Sequence, residues 1–563
     1  MYIVGISCAG ESGAALFKNS ELICAANEER FSRIKLDTAF PINALEWCLS
    51  YANIDKEKID RVVYGFSSGC EIQEEKINWI SELLAIDIST KAGVIKHERV
   101  ITETTVDQKN YEEFLSNIKV FFLRDIPITR VNHHMSHIAS AYIPSCMREA
   151  IVVTADGRGD YSSVTIGIAS PDGYRGLYAA PSWSSFGYFY GRMTKLCGFT
   201  PNRHEGKVTG LAAFGDYTKA LSFVQKMIYI ENGKVVTNLG DYYKPFFTNY
   251  SDLLEEEARE FSREDLASAT QYHLENMVTE LISFYAKKTN IKNIALAGGV
   301  FSNISLNQAI YNIDKEFDVF VYPNMGDAGI CVGGCYAWLW SEKRISSKKI
   351  DSMYLGYKID SQNILNQLKA YDCTAYKPDD IYATVVEMLK EGKTVGVVQG
   401  QAEFGPRALG NRSILASPQN GNIIKRINKQ LGRDIFMPLA PVMMLDLASE
   451  FVEFKDKNSF DKGYFMTMTF NAKPKLKEVA QAVIHVDETV RPQFVTLDSN
   501  EFVYNLLKAW YIETGCPALI NTSFNSHEEP IINDEKDTLS SLAKGVVDVV
   551  VSPPYIVQKI SKS

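Results

Sequence analysis

AIVVTADGRGDYSSVTIGIAS, residues 150–170, reads as an apolar run, a turn built from Gly, Asp and Ser, and a second apolar run. The opening of the chain has the same grammar: YIVGIS (2–7), the turn CAGESG (8–13) and AALFKN (14–19), followed by a further strand in ELICAANEE (21–29). The later copy also continues, into YRGLYAA (174–180). Small and β-branched residues bounded by turn formers predict antiparallel hairpins. Two such units predict a duplicated α/β fold whose facing turns approach phosphates through backbone N–H groups. Two ordinary hairpins of an α/β domain are the alternative.

Working outward, the pattern predicts a helix over His133–Ala141 and a long, Glu-rich helix over 251–289. NIALAGGV (293–300) and VFVYPN (319–324) read as buried strands, the second leading through the turn MGDAG into a small-residue helix, ICVGGCYAWLW (330–340). The polar stretch SEKRISSKKIDS (341–352) reads as a linker, so the expected organisation is 1–345, a linker at 346–355, and 356–563. The last part opens with a helix near 378–392 and the strand TVGVVQG (394–400).

A chain of 563 residues favours at least two cores. With 46% hydrophobic and 23% charged residues it is neither disordered nor fibrous, and its net charge of −9 supplies no general attraction for nucleic acid or anionic membrane. No apolar run is long enough to cross a bilayer, and the N-terminus lacks a secretory pattern. None of the ten cysteines forms a CxxC pair; Cys331 and Cys335 share a helix face with no second Cys/His pair in sequence. The composition reads as cytoplasmic and reduced, with no membrane partner.

Six constellations carry chemistry. In VNHHMSHIASAY (131–142), His133 and His137 are one helical turn apart and can reach one ion, while His134 points elsewhere. Asp327 in NMGDAG is the best-placed third ligand, or else an N-cap of the next helix. Two imidazoles and a carboxylate suit Fe(II), Mn(II) or Zn(II). In LAGGVFSN (296–303), Gly298 and Gly299 admit a flat ligand against backbone and Asn303 can bond its polar edge. RHEGKVTGLAAFG (203–215) places Glu205 and Lys207 before a helix, Lys207 meeting a phosphate or standing as a solvated charge. QAEFGPRALGNRS (401–413) holds Arg407 and Arg412 on a rigid loop suited to forked phosphate contacts. AVIHVDETVRPQFV (482–495) is expected to alternate His485, Asp487, Thr489 and Arg491 on one strand face. ALINTSFNSHEEPII (518–532) crowds Asn521, Thr522, Ser523 and Asn525 at a strand end.

Taken in order, VGIS…GAAL…AANEERFSR, VNHHMSHIASAY, TADGRGDYSS, EGKVTGLAAFG, LAGGVFSN, GDAGICVGG, FGPRALGNRS, PLAPV, HVDETVRPQ and NTSFNSHEEPII resemble the NodU/CmcH family of O-carbamoyltransferases over essentially the whole chain. The resemblance implies an α/β protein with an actin-like (ASKHA, Kae1-like) duplicated N-terminal domain and a YrdC-like C-terminal domain. It further implies that carbamoyl phosphate and ATP with Mg form carbamoyl-adenylate in the C-terminal domain, and that the carbamoyl group then passes to an acceptor hydroxyl at the N-terminal metal site. By motif position His133, His137 and Asp327 would hold the metal, Fe(II) or another divalent ion. Asp156 would orient or deprotonate the acceptor, and Lys207, Gly298, Gly299 and Asn303 would hold nucleotide. Arg407, Arg412, Arg433, Arg491, Ser523 and Asn525 would line the carbamoyl-phosphate and ATP site. The acceptor would be a natural product, a sugar, or a hydroxymethyl nucleotide or DNA, with a homodimer open as the assembly.

The chain departs from the family in KQLGRDIFMPLAP (429–441): Leu431 stands where a lysine is expected and Met437 where an arginine is, leaving Arg433. Lys425 or Lys429 could compensate. The opening loop carries Glu11 in place of a histidine. The competing readings are a weakened, nucleotide-binding regulator and threonylcarbamoyl transfer to tRNA.

Overall fold

β1 (Tyr2–Ser7) runs antiparallel to β2 (Gly13–Lys18), with Ser7 opposite Gly13 across the opening turn. The computed structural model describes residues 1–8, 10–66, 81–245, 251–419, 421–434, 436–455 and 461–560; Ala9 of that turn lies outside the described residues. The chain separates into two units, Met1–Cys24 with Thr38–Ile350, and Ala25–Asp37 with Asp351–Ser563.

β3 (Glu21–Asn27), at whose midpoint the chain leaves the first unit, joins β4 (Ile59–Tyr64) and β5 (Ile128–Arg130) in a five-stranded sheet of order β3-β2-β1-β4-β5. β6 (Ala150–Gly159), β7 (Ser162–Ser170) and β8 (Gly173–Pro181) form the second antiparallel run, and β9 (Ile228–Glu231) and β10 (Lys234–Thr237) a separate hairpin. β11 (Asn293–Ala297) and β12 (Asp318–Val321) then join β6 in parallel, giving the order β12-β11-β6-β7-β8. In both sheets three consecutive antiparallel strands are extended by two parallel ones beside the first strand of the three. The small-residue helix Ile330–Ser341 is buried from Ile330 to Trp340 and packs on β1 and on the helix His133–Ser145.

The periodic segment 251–289, expected as one helix, is two: Asp252–Ala258 and Arg263–Thr289. Ser262 breaks it, with extended backbone and a side chain that accepts from Asp265 N at 3.0 Å. A new N-cap here outweighs the continuous apolar period.

The second unit begins after an irregular stretch that follows Ser341. β13 (Tyr354–Lys358) pairs with β16 (Gln401–Glu403). β14 (Cys373–Tyr376), β15 (Val395–Val398), β17 (Arg412–Ala416), β18 (Ala440–Met444), β21 (Gln493–Val495), β22 (Ala518–Ser523), β23 (Val549–Ser552) and β24 (Tyr555–Lys559) form an eight-stranded mixed sheet of order β14-β24-β23-β15-β17-β22-β18-β21. β15 and β23, VGVV and VVVS, are wholly buried, as central strands covered on both faces should be. β19 (Phe470–Asn471) and β20 (Thr489–Val490) form a two-residue ladder. Among the described residues no helix is long and apolar enough to cross a membrane.

Candidate functional site

Asn132 caps the helix His133–Ser145, its side chain accepting from Met135 N at 3.0 Å, and Asp160 Oδ2 accepts from His133 N at 2.7 Å. These bonds fix the first turn, so His133 and His137 project together into the interior, 0% and 1% exposed. His134 turns into the sheet, with Nδ1 2.7 Å from Thr154 Oγ1. Asp327 opens a short 3-10 turn, Asp327–Gly329, and its side chain caps no helix. Its Oδ1 lies 3.6 Å from His133 Nε2 and 3.4 Å from His137 Nε2. Asp156 on β6 completes the group: Oδ1 accepts from Gly157 N at 2.6 Å, and Oδ2 accepts from Gly299 N at 3.0 Å and lies 3.4 Å from His137 Nε2. One donor atom from each of His133, His137, Asp156 and Asp327 lies within 4.8 Å of all the others.

The donor set fits a divalent cation. His133 Nδ1 and Nε2, His137 Nε2 and Asp327 Oδ1 are buried with no hydrogen-bond partner among the described residues. Each orphaned group costs about 1–3 kcal/mol, which a shared ion would offset. Burial holds His133 well below the usual imidazole range, so the ring is neutral and able to ligate. Burial would lower His137 too, but Asp156 and Asp327 reverse that and raise it to about 9. Burial, with Asp156 adding, pushes Asp327 up to about 6. Two imidazole nitrogens and two carboxylates are ligands that Fe(II), Mn(II) and Zn(II) accept.

Two glycines let the backbone close around this group. A Cβ on Gly10 would stand 1.9 Å from Asp327 Oδ2, and one on Gly159 would stand 2.0 Å from His133 Cδ2. Gly159→Ala is therefore expected to turn the His133 ring and weaken divalent-metal affinity by at least about tenfold. Chelator competition measures this directly, and wild-type affinity in the variant would show that the ring orientation does not matter. A Cβ on Gly326 would be 3.3 Å from Glu11 Oε2, so Glu11 lies against the turn that delivers Asp327.

The glycine turn after β11 contributes Gly299 N to Asp156, while Gly298 takes φ +104° against Ala155. Asn303 is committed locally: its Oδ1 caps the helix Ile304–Tyr311, accepting from Leu306 N at 3.1 Å, and its amide pairs with that of Gln271 at 2.8 and 3.0 Å. Glu205 and Lys207 stand inside the first turn of the helix Glu205–Ala212 rather than ahead of it, and Lys207 Nζ lies 5.6 Å from the Phe199 ring.

In the second unit the arginines divide. Arg433 donates to Thr522 Oγ1 at 2.6 Å, Ser523 Oγ at 2.9 Å and Asn525 Oδ1 at 3.4 Å, so the strand-end cluster on β22 and Arg433 form one surface. Burial pushes Arg491 down to about 9, and the nearby cations Arg407 and Arg433 push the same way. Arg491 Nε is buried with no hydrogen-bond partner among the described residues. Guanidiniums that disfavour one another's charge in this way are what a bound anion would relieve. Arg412 is different. It is 0% exposed, and its guanidinium donates to the carbonyls of Asn533, Gln399, Asn411 and Tyr357 at 3.0, 2.8, 2.9 and 2.9 Å. Backbone acceptors occupy the fork that a phosphate was expected to take.

His485, Asp487, Thr489 and Arg491 do not alternate along one strand. Glu488 adopts φ +66°, and His485 N donates to Thr489 O at 2.9 Å, closing a turn. His485 pairs with Asp487 at 3.1 Å inside that turn, and Arg491 follows the two-residue β20. Leu431 is 2% exposed, while Lys425 and Lys429 are exposed on their helix.

A family model for the carbamoyltransferase N-terminus matches residues 2–336, and one for the carbamoyltransferase C-terminus matches residues 386–559. The chain belongs to the carbamoyltransferase family. This carbamoyltransferase is 31% identical to an uncharacterised protein of Methanocaldococcus jannaschii over 99% of this chain and 100% of that one. It is 30% identical to nodulation protein NolNO of Sinorhizobium fredii, over 98% of this chain and 79% of the relative. Nodulation protein U of Rhizobium tropici is 23% identical over 94% and 91%.

Two groups of this carbamoyltransferase escaped the sequence reading. Glu403 is 2% exposed, and its Oε1 accepts from Leu409 N, Asn411 N and Arg412 N at 2.7, 2.8 and 3.1 Å, shaping the loop that carries Arg407. Its signal was a lone acid between an apolar strand and a Gly/Pro turn. Gln271, partner of Asn303, had no local signal at all.

Proposed function

We propose that this carbamoyltransferase is an ATP-dependent O-carbamoyltransferase. Carbamoyl phosphate loses phosphate to water in the C-terminal unit, leaving carbamate. A carbamate oxygen then attacks the α-phosphorus of ATP, bound with Mg, and pyrophosphate leaves carbamoyl-adenylate behind. At the N-terminal site an acceptor hydroxyl attacks the carbamoyl carbon, AMP departs, and the hydroxyl proton passes to Asp156 or to solvent. Adenylation supplies a good leaving group, and enclosure limits loss of the intermediate to water.

Arg407, Arg433 and Arg491 would bind the phosphate groups, with Ser523 and Asn525 holding Arg433 in place. His133, His137 and Asp327 would hold the divalent ion, Asp156 beside them. Such an ion supplies Lewis acidity toward phosphate and carbamoyl oxygens when bound. Asp156, fixed by the Gly157 and Gly299 amides, orients the acceptor hydroxyl. The common strand order of the two five-stranded sheets supports an actin-like, duplicated, Kae1-like N-terminal unit. A YrdC-like second unit follows from the family resemblance, and residues 25–37, expected inside 1–345, group with it rather than with the first unit. The acceptor would be a natural product, a sugar, or a hydroxymethyl nucleotide or DNA, met in the cytoplasm by a monomer or homodimer.

The observation that carries the reading is the arginine cluster beside β22, in a member of a carbamoyl-transferring family. It is tested without any acceptor. Purified protein is given ATP, carbamoyl phosphate and Mg(II) or Fe(II), and phosphate, pyrophosphate and AMP are followed together. Pyrophosphate release that requires carbamoyl phosphate is expected, despite Leu431 and Met437. Silence with nucleotide still bound would replace this reading with a nucleotide-binding regulator or another donor.

A further inference from the structure

Residues 25–37 belong to the second unit although 313 residues separate them in sequence from its next member, Asp351. Within that unit the connection from β16 to β17 carries Arg407, and its backbone is pinned almost everywhere after that residue. Glu403 gathers three N–H groups, and Ser413 Oγ accepts from Gly410 N at 2.9 Å. Asn521 Nδ2 donates to Ala408 O at 3.1 Å, Tyr354 Oη and Gln493 Nε2 each donate to Leu409 O at 2.6 Å, and Gln399 Nε2 donates to Gly410 O at 3.2 Å.

Before Arg407 the grip is sparser. Phe404 N donates to Met353 O at 2.8 Å, and Arg30 Nη2 donates to Gly405 O at 2.7 Å. Gly405 has φ +137°, a conformation that residues with a side chain rarely adopt, and Pro406, with its fixed φ, then leads directly to Arg407. Arg30 is 2% exposed, and its Nε and Nη1 have no hydrogen-bond partner among the described residues; nor has Glu403 Oε2. Arg30 Nε lies 3.9 Å from Glu29 Oε1, beyond hydrogen-bond reach, and a buried ion pair of this kind is often no more stabilising than well-packed apolar residues of similar size. What the guanidinium does that an apolar side chain could not is hold the Gly405 carbonyl.

We propose that Arg30 is a positioning residue of the anion site: by holding the carbonyl of Gly405 it sets the direction in which Arg407 is presented to phosphate. The inference rests on the reading above that Arg407 binds a phosphate group.

The test uses the full chain and inorganic phosphate as the probe, with affinity read by calorimetry and stability by thermal unfolding. Arg30→Met is expected to weaken phosphate binding by roughly 10-fold or more, as a displaced binding group does. Arg30→Lys keeps the charge and one donor, and is expected to stay within about 3-fold of wild type. Arg30→Met combined with Arg407→Met should bind no worse than Arg407→Met alone, because both changes remove the same contact. Arg33→Met is the control: Arg33 donates to Pro530 O and Ile531 O and pairs with Asp537, so it should lower the unfolding temperature and leave phosphate affinity unchanged. Wild-type affinity in Arg30→Met, independent losses in the double variant, or an equal loss in Arg33→Met would overturn the proposal. If Arg30→Met does not fold, Arg30→Lys against Arg30→Gln decides, and equal affinities would overturn it. No phosphate binding by the wild-type chain would sink the anion-site reading and this proposal together, a result recognisable because the parent itself is silent.

Discussion

His137→Ala is expected to abolish carbamoyl transfer to the acceptor and to leave carbamoyl-phosphate-dependent pyrophosphate release largely intact. The imidazole is 1% exposed and lies within 3.4 Å of both Asp156 and Asp327, so no neighbouring group can take its place. Without it two half-buried carboxylates face each other, and proton uptake by one of them removes a ligand from the set. Loss of a bound ion's charge stabilisation, several kcal/mol, corresponds to a fall of about 10²–10³-fold or more in the transfer step. On the proposed division of labour pyrophosphate release takes place in the other unit, so its survival would show that this unit is still folded. Both products are measured in one reaction; equal loss of the two would contradict separate sites.

The second large effect separates two arginines that look alike in sequence. Arg412→Ala leaves four backbone carbonyls without their donor and strips the cation from beside Glu403 and Glu535. Removing one member of a buried charged group costs about 3–5 kcal/mol, which for a unit of this size lowers Tm by roughly 10 °C. Activity then fails because the unit unfolds. Arg491→Ala behaves in the opposite way. Its cation is disfavoured in the folded protein, since burial and its arginine neighbours pull it from the ordinary value of 12.5 down to about 9. Below pH 9 both folded and unfolded chains carry this charge and the folded state bears the full penalty, so removing it leaves stability equal or higher. If Arg491 binds phosphate as proposed, KM for carbamoyl phosphate is expected to rise by roughly tenfold to a hundredfold, the value of one charged hydrogen bond. Thermal unfolding and KM measured on both variants test the division. A stable, inactive Arg412→Ala would restore Arg412 to the phosphate site.

What could be read from the chain itself follows from distance along it. The His133–His137 spacing encodes a shared helix face, and the hairpins at 2–18 and 150–170 are local, so both are visible to periodicity. Asp156 entered only through the family resemblance, because its place beside His137 depends on β6 lying against the glycine turn after β11. The backbone carbonyls around Arg412 were not legible for a physical reason: a guanidinium looks the same in sequence whether carbonyls or phosphates surround it. The strand expected over 482–495 failed at Glu488, where one left-handed residue closes a turn that alternation cannot reveal. The bond from Arg30 to Gly405 was invisible in the sequence, since it spans 375 positions.

The passage of residues 25–37 into the second unit has a consequence for how the protein is made. At about 5–20 residues per second, the ribosome needs roughly 15–60 s to travel from Asp37 to the start of the polypeptide that this segment joins. Throughout that interval the nascent chain carries Arg30 and Arg33 without the carbonyls they later bind. The C-terminal unit closes last around a piece that emerged first, so a gene cut between codons 350 and 351 yields a second fragment short of one of its own parts.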